Sequence, residues 1–250
     1  MCIRDSLKDS SVYDNYAAYG GGGVAIGGSG AVFSQTGGSL IEHNVSYLGG
    51  GVFVETGNVY LESGNVFSNS AVWDGGGLYI VDGQTWLSGA TISSNHSEDG
   101  GGVVLGGGNL TMTAGKIISN TANAAGGGVY IDGASSHFTQ TSGWIDGNSA
   151  LNGGGVFVFE GMVSMDGGWI ANNIASEHGG GAYLYNPTAT LVTDDHSKIT
   201  ANRATLGGGL YVYSGTATLN HTELSSNTTT EDGAGSVSYT HLTLPTKRIV

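Results

Sequence analysis

Three patterns of apolar and polar positions recur along the chain in a fixed order. In the first, a Gly-Gly-Gly triplet leads into an apolar, aromatic, apolar trio: Val52-Phe53-Val54, Leu78-Tyr79-Ile80, Val129-Tyr130-Ile131, Val156-Phe157-Val158, Ala182-Tyr183-Leu184 and Leu210-Tyr211-Val212. Alternation with a period of two predicts a β-strand, with the aliphatic residues on one face and the aromatic residue on the other. In the second, an aliphatic residue stands three places before an asparagine: Ile41/Asn44, Val66/Asn69, Ile92/Asn95, Ile117/Asn120, Ile145/Asn148, Ile170/Asn173, Ile199/Asn202 and Leu224/Asn227. A small residue, usually Ala or Ser, follows two places after each asparagine, and the last glycine of the next triplet comes 7 or 8 residues after it. The third pattern is a short β-like stretch between the other two, such as Asn58-Val59-Tyr60-Leu61 or Leu110-Thr111-Met112-Thr113.

The triplets end at Gly23, Gly51, Gly77, Gly102, Gly128, Gly155, Gly181 and Gly209, at spacings of 28, 26, 25, 26, 27, 26 and 28. A period in this range points to stacked repeats rather than a closed core. Three short strands and three turns in about 26 residues describe one rung of an all-β parallel β-helix, a solenoid of about eight rungs spaced about 4.8 Å apart. Stacked aliphatic positions form its interior. The fixed asparagine tolerates left-handed geometry and can hydrogen-bond to its copies above and below. The glycine triplets allow a sharp turn and close backbone approach.

The two ends differ from this pattern. Residues 1–6 (Met1-Cys2-Ile3-Arg4-Asp5-Ser6) and 236–250 resemble translated sequencing adapter and are set aside as artefact. That leaves 7–235 as one continuous repeat domain without native caps. Cys2 is the chain's single cysteine, so the repeat region has no disulfide or thiol chemistry. The chain carries a formal net charge of −13, and discounting Arg4, Asp5, Lys247 and Arg248 makes the repeats more acidic still. Such a surface repels nucleic acid and anionic lipid and attracts cations or cationic partners. No apolar run reaches the ~20 residues of a membrane span, and the 47 glycines argue against helices.

The glycine-rich turns entering Val-Tyr-Val strands, together with the apolar-x-x-Asn motif, resemble the repeats of bacterial right-handed parallel β-helix surface proteins. They are similar to those of the chlamydial polymorphic outer membrane proteins, with Gly-Gly-Gly-Val and Ile-x-x-Asn here in place of Gly-Gly-Ala-Ile and Phe-x-x-Asn. The likeness covers residues 20–235. It implies right-handed coiling and an extracellular or bacterial cell-surface location. It also implies an adhesin-like or autotransporter-passenger-like role, with a glycan or protein of a host or cell surface as partner.

Residues at one offset from the asparagine stack on neighbouring rungs. Four places before it stand Lys116, Trp144, Trp169 and Lys198, an outward column if the isoleucine points inward. Two tryptophans between lysines suggest an aromatic platform for sugar rings, with the lysines pairing uronic acid carboxylates. The competing reading is a solvated ladder that only supports strand pairing. Seven places before the asparagine stand Asp166 and Asp195. Two carboxylates on adjacent rungs would raise one pKa, bind Ca²⁺ as the one cofactor in view, or serve glycoside hydrolysis; solvated turn acids are the plainer reading. A further outward column holds Phe53, Tyr79, Val104, Tyr130, Phe157, Tyr183 and Tyr211. It reads either as an exposed binding stripe or as a self-stacked, covered ladder. The histidines share no offset, which argues against a zinc cluster. The alternative to a non-enzymatic module is a carbohydrate-active β-helix, a lyase or hydrolase of acidic polysaccharide.

Overall fold

The computed structural model describes residues 4–194, 196–238 and 242–243. Each full rung holds four strands, one more than the apolar pattern predicts. One rung runs through Asn58–Leu61, Asn65–Phe67, Ser70–Asp74 and Leu78–Ile80. Equivalent strands stack in parallel into four sheets of 10, 9, 9 and 9 described strands. They are called here the middle, isoleucine, alanine and glycine-exit sheets. The additional strand is that of the alanine sheet. Its inward positions are Ser46, Ala71, Ser97, Ala122, Ala150, Ala175 and Ala204, all buried. Small side chains there give almost no hydrophobic alternation, which is why the pattern of apolar residues passes over it. Arg4–Lys8 pairs with Val32–Thr36, and Ser236–Ser238 with Leu210–Val212. Strands of the solenoid therefore extend into both stretches set aside from the sequence, and the array comes to about nine turns.

The aliphatic ladders form the core. Ile41, Val66, Ile92, Ile117, Ile145, Ile170 and Ile199 are fully buried in one file, and the inward residues of the middle and glycine-exit sheets complete a single cluster. Its largest fully buried side chain is Phe138. At each isoleucine turn the residue before the asparagine takes the left-handed conformation: Ser68 (φ 51°), Ser94 (54°), Ser119 (55°), Asn172 (54°) and Ala201 (56°). The asparagine itself does not, although it could tolerate that geometry. Its place is fixed by hydrogen bonds instead. Asn120 donates from its backbone N and from Nδ2 to Asn148 Oδ1 (2.9 and 3.0 Å), and from Nδ2 to the Ile92 carbonyl (3.0 Å). Its own Oδ1 accepts both donors of Asn95. The same set repeats from Asn44 to Asn227, so every buried amide in the file is satisfied.

The triplet turns the chain sharply beside the next rung. Gly75 is left-handed (φ 68°), a Cβ on Gly76 would lie 2.5 Å from the His96 carbonyl, and one on Gly77 2.5 Å from the Gly102 carbonyl. Glycine is therefore required for three separate reasons in three consecutive places. The span from asparagine to last glycine alternates strictly along the chain, as 8, 7, 8, 7, 8, 7, 8, 7 and 8 residues from Asn15 to Gly235. The alanine sheet absorbs the odd residue as a register shift between successive strands, as between Ser70 and Asp74.

Candidate functional site

The glycine turn bends the outward faces of the alanine and glycine-exit sheets toward each other, making a groove outside the core. Leu48, Asp74, Asp99, Ala125, Asn152 and His178, each the residue before a triplet, line one wall. The predicted column of Phe53, Tyr79, Val104, Tyr130, Phe157, Tyr183 and Tyr211 lines the other. That column is not an exposed stripe. Phe53, Val104, Phe157, Tyr183 and Tyr211 are all below 10% exposed, and only Tyr79 and Tyr130 are half-buried. Phe157, Tyr183, Tyr211 and Ala125 form a second apolar cluster with Phe159 and Leu206 packed on it. His178 packs 4.7 Å from the Tyr211 ring and meets Asn152 Oδ1 through Nδ1 at 2.8 Å. The wall across the bend covers the aromatic rings, and the rings cover one another.

The groove changes character at Val104. Phe53 stacks on Tyr79 at 5.8 Å and Tyr130 on Phe157 at 5.3 Å, and Val104 interrupts the ladder between them. Two residues on, Gly106 presents no side chain, and the Tyr79 hydroxyl lies 2.9 Å from where a Cβ on it would be. Three carboxylates surround this notch. Burial pushes Asp74 up to about 6, with the charges of Asp99 and Asp132 adding to the effect. Burial also raises Asp99, against a hydrogen bond from the Ala125 amide at 2.9 Å. Tyr130 is driven above its ordinary range, first by burial and then by the charges of Asp132, Asp99 and Asp74. A carboxyl held near neutrality can donate or accept a proton. None of these acids shares the offset of the pair singled out in the sequence, and the strands Ser70–Asp74 and His96–Asp99 that carry Asp74 and Asp99 lack apolar alternation. The signal available was the acidic residue directly before two successive triplets.

The tryptophan column forms as expected. Lys116, Trp144, Trp169, Lys198 and Glu223 pair in register along the isoleucine sheet. Trp144 and Trp169 stack at 4.3 Å, Lys198 Nζ sits 4.8 Å from the Trp169 ring centre, and the same ammonium meets Glu223 at 2.8 Å. Rings stacked along the solenoid axis cover each other's faces and turn their edges outward. One face of each is therefore closed, and Lys198 covers the remaining face of Trp169. This is a cation–π ladder rather than a flat platform. Asp166 is exposed, and Asp195 lies outside the described residues. The Met165–Thr193 pairing, carried one residue further, sets Asp194 opposite Asp166, because this rung holds one more residue before Lys198. Among the described residues, no three His, Cys, Asp or Glu side chains form a metal-binding group, and no helix is long and apolar enough to cross a membrane.

A family model described as right handed beta helix region matches residues 22–229. The chain belongs to this family. Comparison with curated proteins and with solved structures gives no match. The right-handed β-helix is thus settled as the scaffold, and any function must be argued from what its outward faces carry. Besides the groove, those faces hold two aromatic features that the sequence reading left out. Tyr60 and Trp86 stack at 4.7 Å, nearly parallel, on the middle sheet. Tyr16, Tyr19, Val72 and Trp73 stand 77, 67, 62 and 49% exposed on the alanine sheet, the strand the sequence pattern did not reveal.

Proposed function

We propose that this chain is a non-enzymatic extracellular recognition module of the bacterial cell surface, adhesin-like or autotransporter-passenger-like, that binds a surface glycan or protein. The observation that carries the reading is the exposed patch of Tyr16, Tyr19, Val72 and Trp73. Soluble proteins rarely leave so many large apolar groups together in water unless something docks on them. The uniform rungs support it as well: the longest connection between described strands up to Ser238 is 230–235, so no long loop walls a deep cleft. The likeness of the repeat motifs to chlamydial surface proteins agrees. The test is adherence of the purified chain to immobilised cells and surface glycans. Replacing Tyr16, Tyr19 and Trp73 together by Ser should reduce adherence at least tenfold with the far-ultraviolet circular dichroism unchanged; undiminished adherence rejects the patch.

A second reading, a carbohydrate-active β-helix, is favoured by one observation, the Asp74 carboxyl poised near neutrality beside Asp99, Asp132 and two tyrosine hydroxyls. Incubation with a polysaccharide panel, with and without Ca²⁺, tests it by the appearance of new reducing ends or unsaturated products. Products that vanish in Asp74→Asn would make this an enzyme.

A further inference from the structure

The Tyr60–Trp86 stack ends abruptly. Trp86 covers one face of Tyr60, and the in-register position on the other side is Ser34, with Ser6 beyond it. Neither serine reaches far enough to cover a phenol ring. The free face of Tyr60 therefore looks onto a depression of about 460 Å³ floored by the two serines, within the size range of small-ligand sites. Asn58 and Glu62, two residues before and after Tyr60, rim the depression; Asp5 and Ser6 of the first strand also line it, while Tyr60, Ser34, Asn58 and Glu62 all lie outside residues 1–6.

We infer that this step in the ladder is a subsite for one neutral or amino-bearing sugar ring of a glycan chain. The rung spacing and the ring stacking distance are nearly equal, as the 4.7 Å between Tyr60 and Trp86 shows. A ring in the plane of the Ser34 rung is thus the next member of the ladder, stacked on Tyr60 as Tyr60 is on Trp86. Sugar rings carry apolar C–H faces and a rim of hydroxyls. The face meets Tyr60, and the rim meets the Asn58 amide, the Glu62 carboxylate and the Ser34 hydroxyl. A phenyl ring from a protein partner would stack equally well but leave those polar groups unmatched, at a desolvation cost. The Glu62 carboxylate disfavours a uronic acid and favours a neutral hydroxyl or an ammonium.

The inference supplies a ligand class for the recognition reading and rests on it, but at a different face from the exposed patch. It is tested by titrating chitohexaose, cellohexaose and hexagalacturonate into the full chain by calorimetry. Wild type should bind at least one of the first two and should bind hexagalacturonate at least tenfold more weakly. Tyr60→Ala removes the platform, and Ser34→Trp fills the step with a ring that continues the ladder and keeps the fold. Each should weaken binding at least tenfold, and Trp144→Ala should leave it unchanged. Binding that survives both variants overturns the subsite while leaving glycan recognition elsewhere intact. Failure of wild type to bind either uncharged oligosaccharide overturns the ligand class, and the adherence assay on the Tyr16, Tyr19 and Trp73 patch then judges the recognition reading separately.

Discussion

At the scale of single residues, the asparagine file shows how much one side chain can hold. Asn120→Ala strands two donors of Asn95 and removes the donor to the Ile92 carbonyl in a dry interior, and leaves Asn148 Oδ1 with only the backbone N–H of residue 120. With unsatisfied buried groups costing ~1–3 kcal/mol each, the loss should reach ~3 kcal/mol or more, read as a fall in thermal midpoint. The left-handed residue beside it gives the opposite sign. Ala201 holds a φ of 56°, a conformation that costs a side-chain-bearing residue ~1–2 kcal/mol and glycine far less. Ala201→Gly should therefore raise the midpoint, by an amount equivalent to ~0.5–1 kcal/mol after the entropy that glycine loses on folding. Asp74 adds a dependence on pH. Its folded pKa of about 6 stands above the ordinary 3.8, so the folded state holds the extra proton. That advantage is complete at low pH and is lost as pH rises through about 6. Asp74→Asn, which never ionises, should melt above wild type at pH 8 and level with it at pH 4.

At the scale of elements, what could be read beforehand depended on side-chain size. Strands built around Ile92 or Leu78 and Ile80 announce themselves, since their inward residues are large and their neighbours are not. The strand Thr121–Ala125 does not, because its buried positions 122 and 125 and its half-buried position 124 are all alanine. Missing that strand hid the groove, since its inner wall is the end of the alanine sheet, and so hid Asp74 and Asp99. The outward column was correctly placed on one face of a strand. Whether that face met water depended on the angle at the glycines, a property of backbone packing that alternation does not encode. The tryptophan column was legible to the residue, since offset from the asparagine fixes register; ring orientation was not, and it is orientation that separates a platform from a ladder. The glycines themselves yield a sharp expectation. Gly76→Ala places a methyl 2.5 Å from the His96 carbonyl, and backbone cannot step aside as a side chain would. Purified variant should show a local loss of amide protection around residues 69–102 and a lower midpoint.

At the scale of the whole molecule, each rung touches only its neighbours, so stability is carried locally and passed along. Phe138 fills the middle of the array, fully buried. Phe138→Ala should cost ~3–5 kcal/mol through the cavity it leaves. In a solenoid that cost should fall on the rungs beside it. Hydrogen exchange followed by mass spectrometry should show faster exchange in the strands around 110–165, with strands near 41 and 210 nearly unchanged. Uniform acceleration along the chain would instead mean that the array opens as one unit.

The alternation of 7- and 8-residue spans bears on how such an array can lengthen. A duplication or deletion of one rung reverses parity at the join and sets two rungs of equal span side by side. Those two strands then pair without the shift that the junctions from Tyr16–Gly20 to Ile174–His178 absorb, and the twist contributed by that bulge disappears at one point in the rod. A copy of two rungs leaves every junction as it was. The unit of inheritance in this molecule is therefore the pair, although the unit of structure is the rung, and lengthened or shortened versions should differ from it by even numbers of turns.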